Sequence, residues 1–159
     1  LTNQNKRLTP QQALARSKEY CKYQERCHSE VRDRLFSFGL APNDVEQIVS
    51  QLIEEDYLNE QRFAEAFARG KFRMKHWGRV KIRYEMKQKR ITEYCIKKGM
   101  KEIDEDEYLA TLTKLMEEKL RTLKSEKNVF IRKRKLTDYL VQKGYERDII
   151  SSLMNAETK

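Results

Sequence analysis

Three ten-residue stretches of this chain, VRDRLFSFGL at 31–40, IRYEMKQKRI at 82–91 and LTDYLVQKGY at 136–145, place their apolar residues in the same columns when aligned. The columns hold Val31, Ile82 and Leu136; then Leu35, Met86 and Leu140; then Leu40, Ile91 and Tyr145. Gly39 and Gly144 share the column where a helix ends and the backbone turns left-handed, while Arg90 fills it in the middle copy at a cost in strain. The next helix repeats as well, with Val45, Val49 and Leu52 matching Ile96, Met100 and Ile103. Such a period predicts an all-α chain of three tandem three-helix units, the last two helices of each joined by a tight turn. A unit of about 50 residues buries little apolar surface alone, so neighbours should lean on each other in an elongated array. A single compact helical bundle is the alternative. The boundaries expected are a disordered lead-in at 1–8, units at 9–57, 58–103 and 104–155, and a tail at 156–159.

Helical spacing runs through the rest of the chain. Val31, Leu35 and Phe38 recur at i, i+4, i+7, and Leu109, Leu112, Met116, Leu120 and Leu123 continue the pattern. Thr9-Pro10 with Gln12 reads as a helix cap, first turn and capping box, and Asp104 with Glu107 makes a similar pair. Charged residues form 37% of the chain and Gly plus Pro total seven, which favours exposed helices over a turn-rich β fold. One stretch looks different: KFRMKHWGRVKIR, at 71–83, alternates charge with Phe72, Met74, Val80 and Ile82 as a strand would. Phe63, Phe67 and Met74 share one helical face upstream, Ile82 and Met86 another downstream, and His76-Trp77-Gly78 interrupts between them. Two helices meeting account for the alternation.

Several function classes fall away. No apolar run approaches the ~18 residues of a membrane span. Cys21, Cys27 and Cys95 are odd in number and form no C-x-x-C pair, which argues for buried thiols in a reducing cytoplasm. With His28 and His76 the only histidines, a metal centre is not expected. Phosphate-cradling loops, a G-x-S-x-G elbow and an H-E-x-x-H pair are all missing, and EEDY and DEDE read as helix ends and first turns. Neither an enzyme nor a cofactor is expected; the chemistry is binding.

Charge says where. Between Arg69 and Lys101 there are thirteen Lys or Arg and two acids, a net +11, against +9 for the whole chain; the remainder nets −2. Arg79, Arg83, Lys87 and Arg90 fall at i, i+4, i+8, i+11, a stripe with no interleaved acid, better explained by an absent acidic or polyanionic partner than by helix stability. With Arg69, Arg73 and Lys75 they form the candidate binding patch. Trp77 sits at its edge, as a core plug or an interface anchor. Arg132, Lys133, Arg134 and Lys135 make a smaller basic patch in the last unit. Acids gather on either side of the basic window, six at 43–60 and seven at 102–118, so the molecule is polarised in sequence.

The segments DYLNEQRFAEAF and HWGRVKIRYEMKQKRI resemble the signature of the RecX family of recombination regulators, G-Y-L-x-D/E-x-R-F-A followed by G-x-x-R-I-x-x-E-L-x-x-K-G-I. Tyr57, Leu58, Arg62, Phe63 and Ala64 match the first part, and Gly78, Ile82, Glu85, Met86, Lys89 and Ile91 fit the second. Asp56 stands where Gly is common, and Arg90 at the usual helix-ending Gly. The resemblance implies tandem three-helix units and a non-enzymatic protein that binds the filament of the RecA recombinase on single-stranded DNA, generally as an inhibitor; a monomer is the expected state. The competing class is a helix-turn-helix protein that binds DNA without RecA. Its basic stripe has few Asn, Gln or Ser positions for base reading, so it would hold phosphates without specifying sequence.

Overall fold

The structure, a computed structural model, describes residues 7–157. Among these every regular element is a helix: α1 (Pro10–Tyr23), α2 (His28–Ser37), α3 (Pro42–Glu54), α4 (Glu60–Lys75), α5 (Arg79–Gln88), α6 (Glu93–Met100), α7 (Glu105–Thr122), α8 (Val129–Gln142) and α9 (Arg147–Glu157). The basic stretch at 71–83 is the end of α4, a three-residue link and the start of α5. It contains no strand.

The helix ends follow local chemistry. Thr9 Oγ1 accepts from the Gln12 N–H at 3.2 Å and Gln12 Oε1 accepts from the Thr9 N–H at 3.0 Å, a reciprocal capping box with Pro10 in the first turn. Asp104 Oδ2 caps α7 by accepting from the Glu107 N–H at 3.0 Å. At the other ends Arg90 and Gly144 take φ values of 60° and 104°. Each donates its N–H three residues back, to Lys87 and Val141, while Ile91 and Tyr145 donate five back, to Met86 and Leu140. This is the Schellman pair of bonds, which satisfies carbonyls that the helix itself leaves open. Asp56 and Tyr57 make the same pair at the end of α3, with Asp56 at φ 61°. Both departures from the family pattern, Asp56 and Arg90, thus keep the turn that glycine would make more cheaply.

The repeat columns are core. Leu35, Met86 and Leu140 are each 0% exposed, and the remaining six column residues are all buried. At about 1.5–3 kcal/mol per fully buried large side chain, these positions supply much of what holds each three-helix unit together. Two expectations need correcting. Met74, placed by spacing on the buried face of α4, is 81% exposed, whereas Phe72 is buried. The buried stripe of α4 runs Ala64, Ala68, Phe72 at i, i+4, i+8, beside Phe63, so Met74 falls on the other side. Leu8, assigned to the lead-in, packs partly buried on the first core and donates its N–H to Phe38 at 3.2 Å. Residues 1–6 of that lead-in lie outside the described residues.

Two compact units divide the chain. One takes the described residues through Ala66 together with Met86–Gly99; the other takes Phe67–Glu85 together with Met100 to the end of α9. In the first, α1, α2 and α3 pack on one another; in the second, α8 packs on α7 and α9. Within the first unit, Ala64 meets Gly99 so closely that a Cβ on Gly99 would lie 2.6 Å from the Ala64 carbonyl oxygen.

Candidate interaction surface

Gly78 opens α5, and its backbone lies directly against Gly144 at the turn between α8 and α9. A Cβ on Gly78 would stand 2.3 Å from the Gly144 carbonyl carbon. That approach lets the third repeat cap the second: the N–H groups of Gly78 and Val80 donate to the carbonyls of Lys143 and Gly144, each at 2.9 Å. The Arg79 N–H donates to Tyr108 Oη at 3.1 Å. The first N–H groups of α5, which no residue within that helix can satisfy, are therefore met from α7 and the α8–α9 turn. Upstream, Tyr145 Oη donates to the His76 carbonyl at 2.8 Å, and Lys143 Nζ to the Lys75 carbonyl at 3.4 Å.

Arg79 is drawn into the same junction. Its guanidinium donates to Glu146 Oε2 at 2.9 Å and to Glu105 Oε2 at 2.8 Å, and lies 3.9 Å from the Tyr108 ring centroid. Tyr108 donates its hydroxyl to the other Glu146 oxygen. Burial, and then that donation, push the Tyr108 phenol well above its usual range, so it stays a donor at all ordinary pH. Its ring packs against Phe72 and Tyr145, with centroids 5.8 Å and 5.1 Å away. Arg79 is a bonded structural cation; spacing alone puts it in a solvated stripe. Glu146 and Tyr108, which hold it, lie 67 and 29 residues along the chain and carry no local signal.

The other predicted residues sort in the same way. Arg69 Nη1 bonds Glu102 Oε2 at 3.0 Å. Arg83 is half-buried. Arg73 and Lys75, near the end of α4, and Lys87 and Arg90, at the end of α5, are exposed and make no ion pair among the described residues. Arg69, Arg73, Lys75, Arg79 and Arg83 belong to the second compact unit, and Lys87 and Arg90 to the first. Trp77 is half-buried, edge-on to Phe67 at 6.5 Å between centroids. Lys71 and Lys81 place their ammonium groups 5.0 Å and 4.5 Å from the Trp77 centroid. Both lysines lie in the predicted stretch, and it takes the folded ring to single them out. In the smaller patch, Arg132 donates to the Glu126 carbonyl and Lys135 Nζ pairs with Glu126 Oε2 at 3.5 Å. That leaves Lys133 and Arg134 exposed and, among the described residues, without an acid.

The signature residues near Tyr57 are fold-bearing. Arg62 donates to Glu25 at 2.6 Å, to the Asp56 carboxylate at 3.1 Å and to the Asp56 carbonyl at 3.0 Å, tying the turn after α3 to the start of α4. Leu58, Phe63 and Ala64 are buried. Cys21, Cys27 and Cys95 are buried free thiols, and burial raises all three above the usual thiol range. Among the described residues no group of three His, Cys, Asp or Glu is placed to hold a metal ion, and no helix is long and apolar enough to cross a membrane. The geometry offers cations and ring faces.

Comparison with known proteins agrees with the three-helix units. Residues 59–100 match the family model for the second three-helix domain of RecX and residues 105–154 that for the third, together more than half of the chain. The regulatory protein RecX of Bacillus cytotoxicus is 28% identical over 141 residues, covering 88% of this chain and 52% of the relative. That of Clostridium tetani is 32% identical over 127 residues, covering 79% and 58%. The chain thus spans little more than half the length of these curated relatives. The crystal structure of RecX from Lactobacillus salivarius superposes with a TM-score of 0.82 at 21% identity, covering 92% of this chain and 95% of that one, which shows a shared fold. A second crystal structure, of a regulatory protein RecX, gives the same TM-score at 20% identity and covers 92% and 71%. On the two domain matches, the chain belongs to the RecX family.

Proposed function

We propose that this protein is a regulator of the RecA recombinase: it binds the RecA filament on single-stranded DNA and inhibits ATP hydrolysis and strand exchange in DNA repair and recombination. It acts as a cytoplasmic monomer by binding, with no catalysis of its own. The observation that carries the reading is the set of exposed cations without acids, Arg73, Lys75, Lys87 and Arg90, in a chain of this family. Cations left without internal partners across a net +11 window ask for an external anion, and the filament offers both acidic protein surface and DNA phosphate. Three repeats also allow several contacts per chain, so avidity can exceed the strength of any one of them.

The test is titration of the full chain into RecA filaments on single-stranded DNA, following ATP hydrolysis and strand exchange. Both should fall below one copy per RecA protomer, and bare single-stranded DNA should bind more weakly than the filament. If bare DNA binds as tightly and RecA activity is untouched at saturation, the regulator reading fails and a sequence-nonspecific DNA-binding protein takes its place.

A further inference from the structure

The first compact unit holds a feature that the basic window does not contain. Helices α1 and α2 face a shallow, solvent-open groove of about 480 Å³ lined by Arg16, Glu19, Tyr20, Tyr23, Arg26 and Arg34. Arg26 and Arg34 place their guanidinium carbons 3.7 Å and 4.4 Å from the Tyr20 ring centroid. Arg16 and Arg34 lie 6.0 Å and 5.4 Å from the Phe38 centroid. Like charges have been brought to shared ring faces.

Among the described residues, none of Arg16, Arg26 and Arg34 is bonded to a carboxylate. Their neighbours behave differently: Arg32, on the same helix as Arg34, bonds Glu46 at 2.8 Å, and Arg62 bonds Glu25 at 2.6 Å. Glu19, the acid of the groove, is engaged by Lys22 at 3.4 Å. Arg26 spends one N–H on the Tyr20 carbonyl at the end of α1, which fixes its plane and leaves its remaining donors for another acceptor. Next to it, Tyr23 is 83% exposed, 5.9 Å from the same guanidinium. Such an arrangement offers planar forks for phosphate oxygens beside an open ring for a base. An acidic peptide would use the forks and leave the ring idle. A volume in the small-ligand range is enough to admit an unstacked nucleotide.

We propose that this groove is a direct contact for single-stranded nucleic acid, with one base stacked on Tyr23 and the flanking phosphates held by Arg16, Arg26 and Arg34. The site adds to the function proposed above and does not require RecA. The chemistry is common to DNA and RNA. Full-length protein is titrated by fluorescence anisotropy against a labelled oligothymidylate, an oligouridylate of equal length, an abasic deoxyribose-phosphate oligomer and poly-glutamate. Tyr23→Ala should weaken the tighter of the two base-containing probes by about 5- to 150-fold, the loss of one stacked base, while Tyr23→Phe restores binding. The same variant should leave the abasic oligomer unaffected. Arg34→Gln should reduce the log-log salt slope by about 0.7. Tyr23 and Arg34 are exposed, so neither change threatens the fold. Wild-type affinity of Tyr23→Ala for both base-containing probes, or poly-glutamate competing as well as either, overturns the proposal. RecA ATPase measured on the Tyr23→Ala protein separates the two readings: inhibition that persists while the oligonucleotide result fails removes the groove and leaves the regulator standing.

Discussion

Arg79 stands in a row of cations whose spacing would let any of them face solvent. What distinguishes it is a pair of carboxylates from distant sequence, Glu105 and Glu146, and a ring, Tyr108, that covers its guanidinium. Its side chain is 26% exposed, as is that of Glu146, so removing one leaves the other partly desolvated without its partner. Arg79→Ala should lower stability by about 1–3 kcal/mol, the range for hydrogen bonds to charged groups, measured by urea denaturation. Arg79→Lys should recover part of it, since an ammonium cannot bridge two carboxylates with a planar fork. Full wild-type stability in Arg79→Ala would return this residue to the solvated stripe.

Helix α5 owes its start to elements it does not contain and its end to a residue poorly suited to the place. The Gly78 backbone meets the Gly144 backbone at a distance no side chain permits, which gives the glycine of the family signature a physical reason. Gly78→Ala must push α5 off the carbonyls of Lys143 and Gly144, and should cost about 1–3 kcal/mol or more, as overpacking does. Arg90, at φ 60°, runs the other way. A non-glycine residue there is strained by about 1–2 kcal/mol, partly offset by its smaller entropy loss on folding. Arg90→Gly should therefore raise Tm by about 2–4 °C, near 1 kcal/mol for a chain of this size. Thermal melts of the two variants should move in opposite directions, and a shift of the same sign in both would contradict this account of the helix ends.

For the whole molecule the charge divides into cations bonded within the fold and exposed cations that make no ion pair among the described residues. Arg62, Arg69, Arg79 and Arg132 belong to the first kind; Arg73, Lys75, Lys87 and Arg90 to the second. Charge reversal of Arg73, Lys75 and Lys87 together should change stability by no more than about 0.5 kcal/mol per site, because exposed charges contribute little to folding. Binding to the RecA filament should fall, with a weaker dependence on salt. Loss of stability matching the loss of binding would make these cations structural as well.

The class of fold and its period are legible in the chain before it folds. Leu35, Met86 and Leu140 recur because a helix buries a face every 3.6 residues, and the turn after each needs a left-handed residue; both are local requirements, written within ten residues of one another. The basic window was legible for the same reason, since net charge needs no folding to be counted. Which cations stay unbonded is settled by contacts between elements far apart in the chain. The choice between Arg79 and Lys87 depends on whether a carboxylate arrives from another element, as Glu146 does from 67 residues away. The Tyr20–Arg26–Arg34 groove was likewise out of reach, because it is made by two helices meeting and neither α1 nor α2 carries an unusual charge run. Met74 was misplaced because α4 buries the face of Ala64 and Ala68, where small side chains permit close approach, and periodicity counts large apolar residues before small ones.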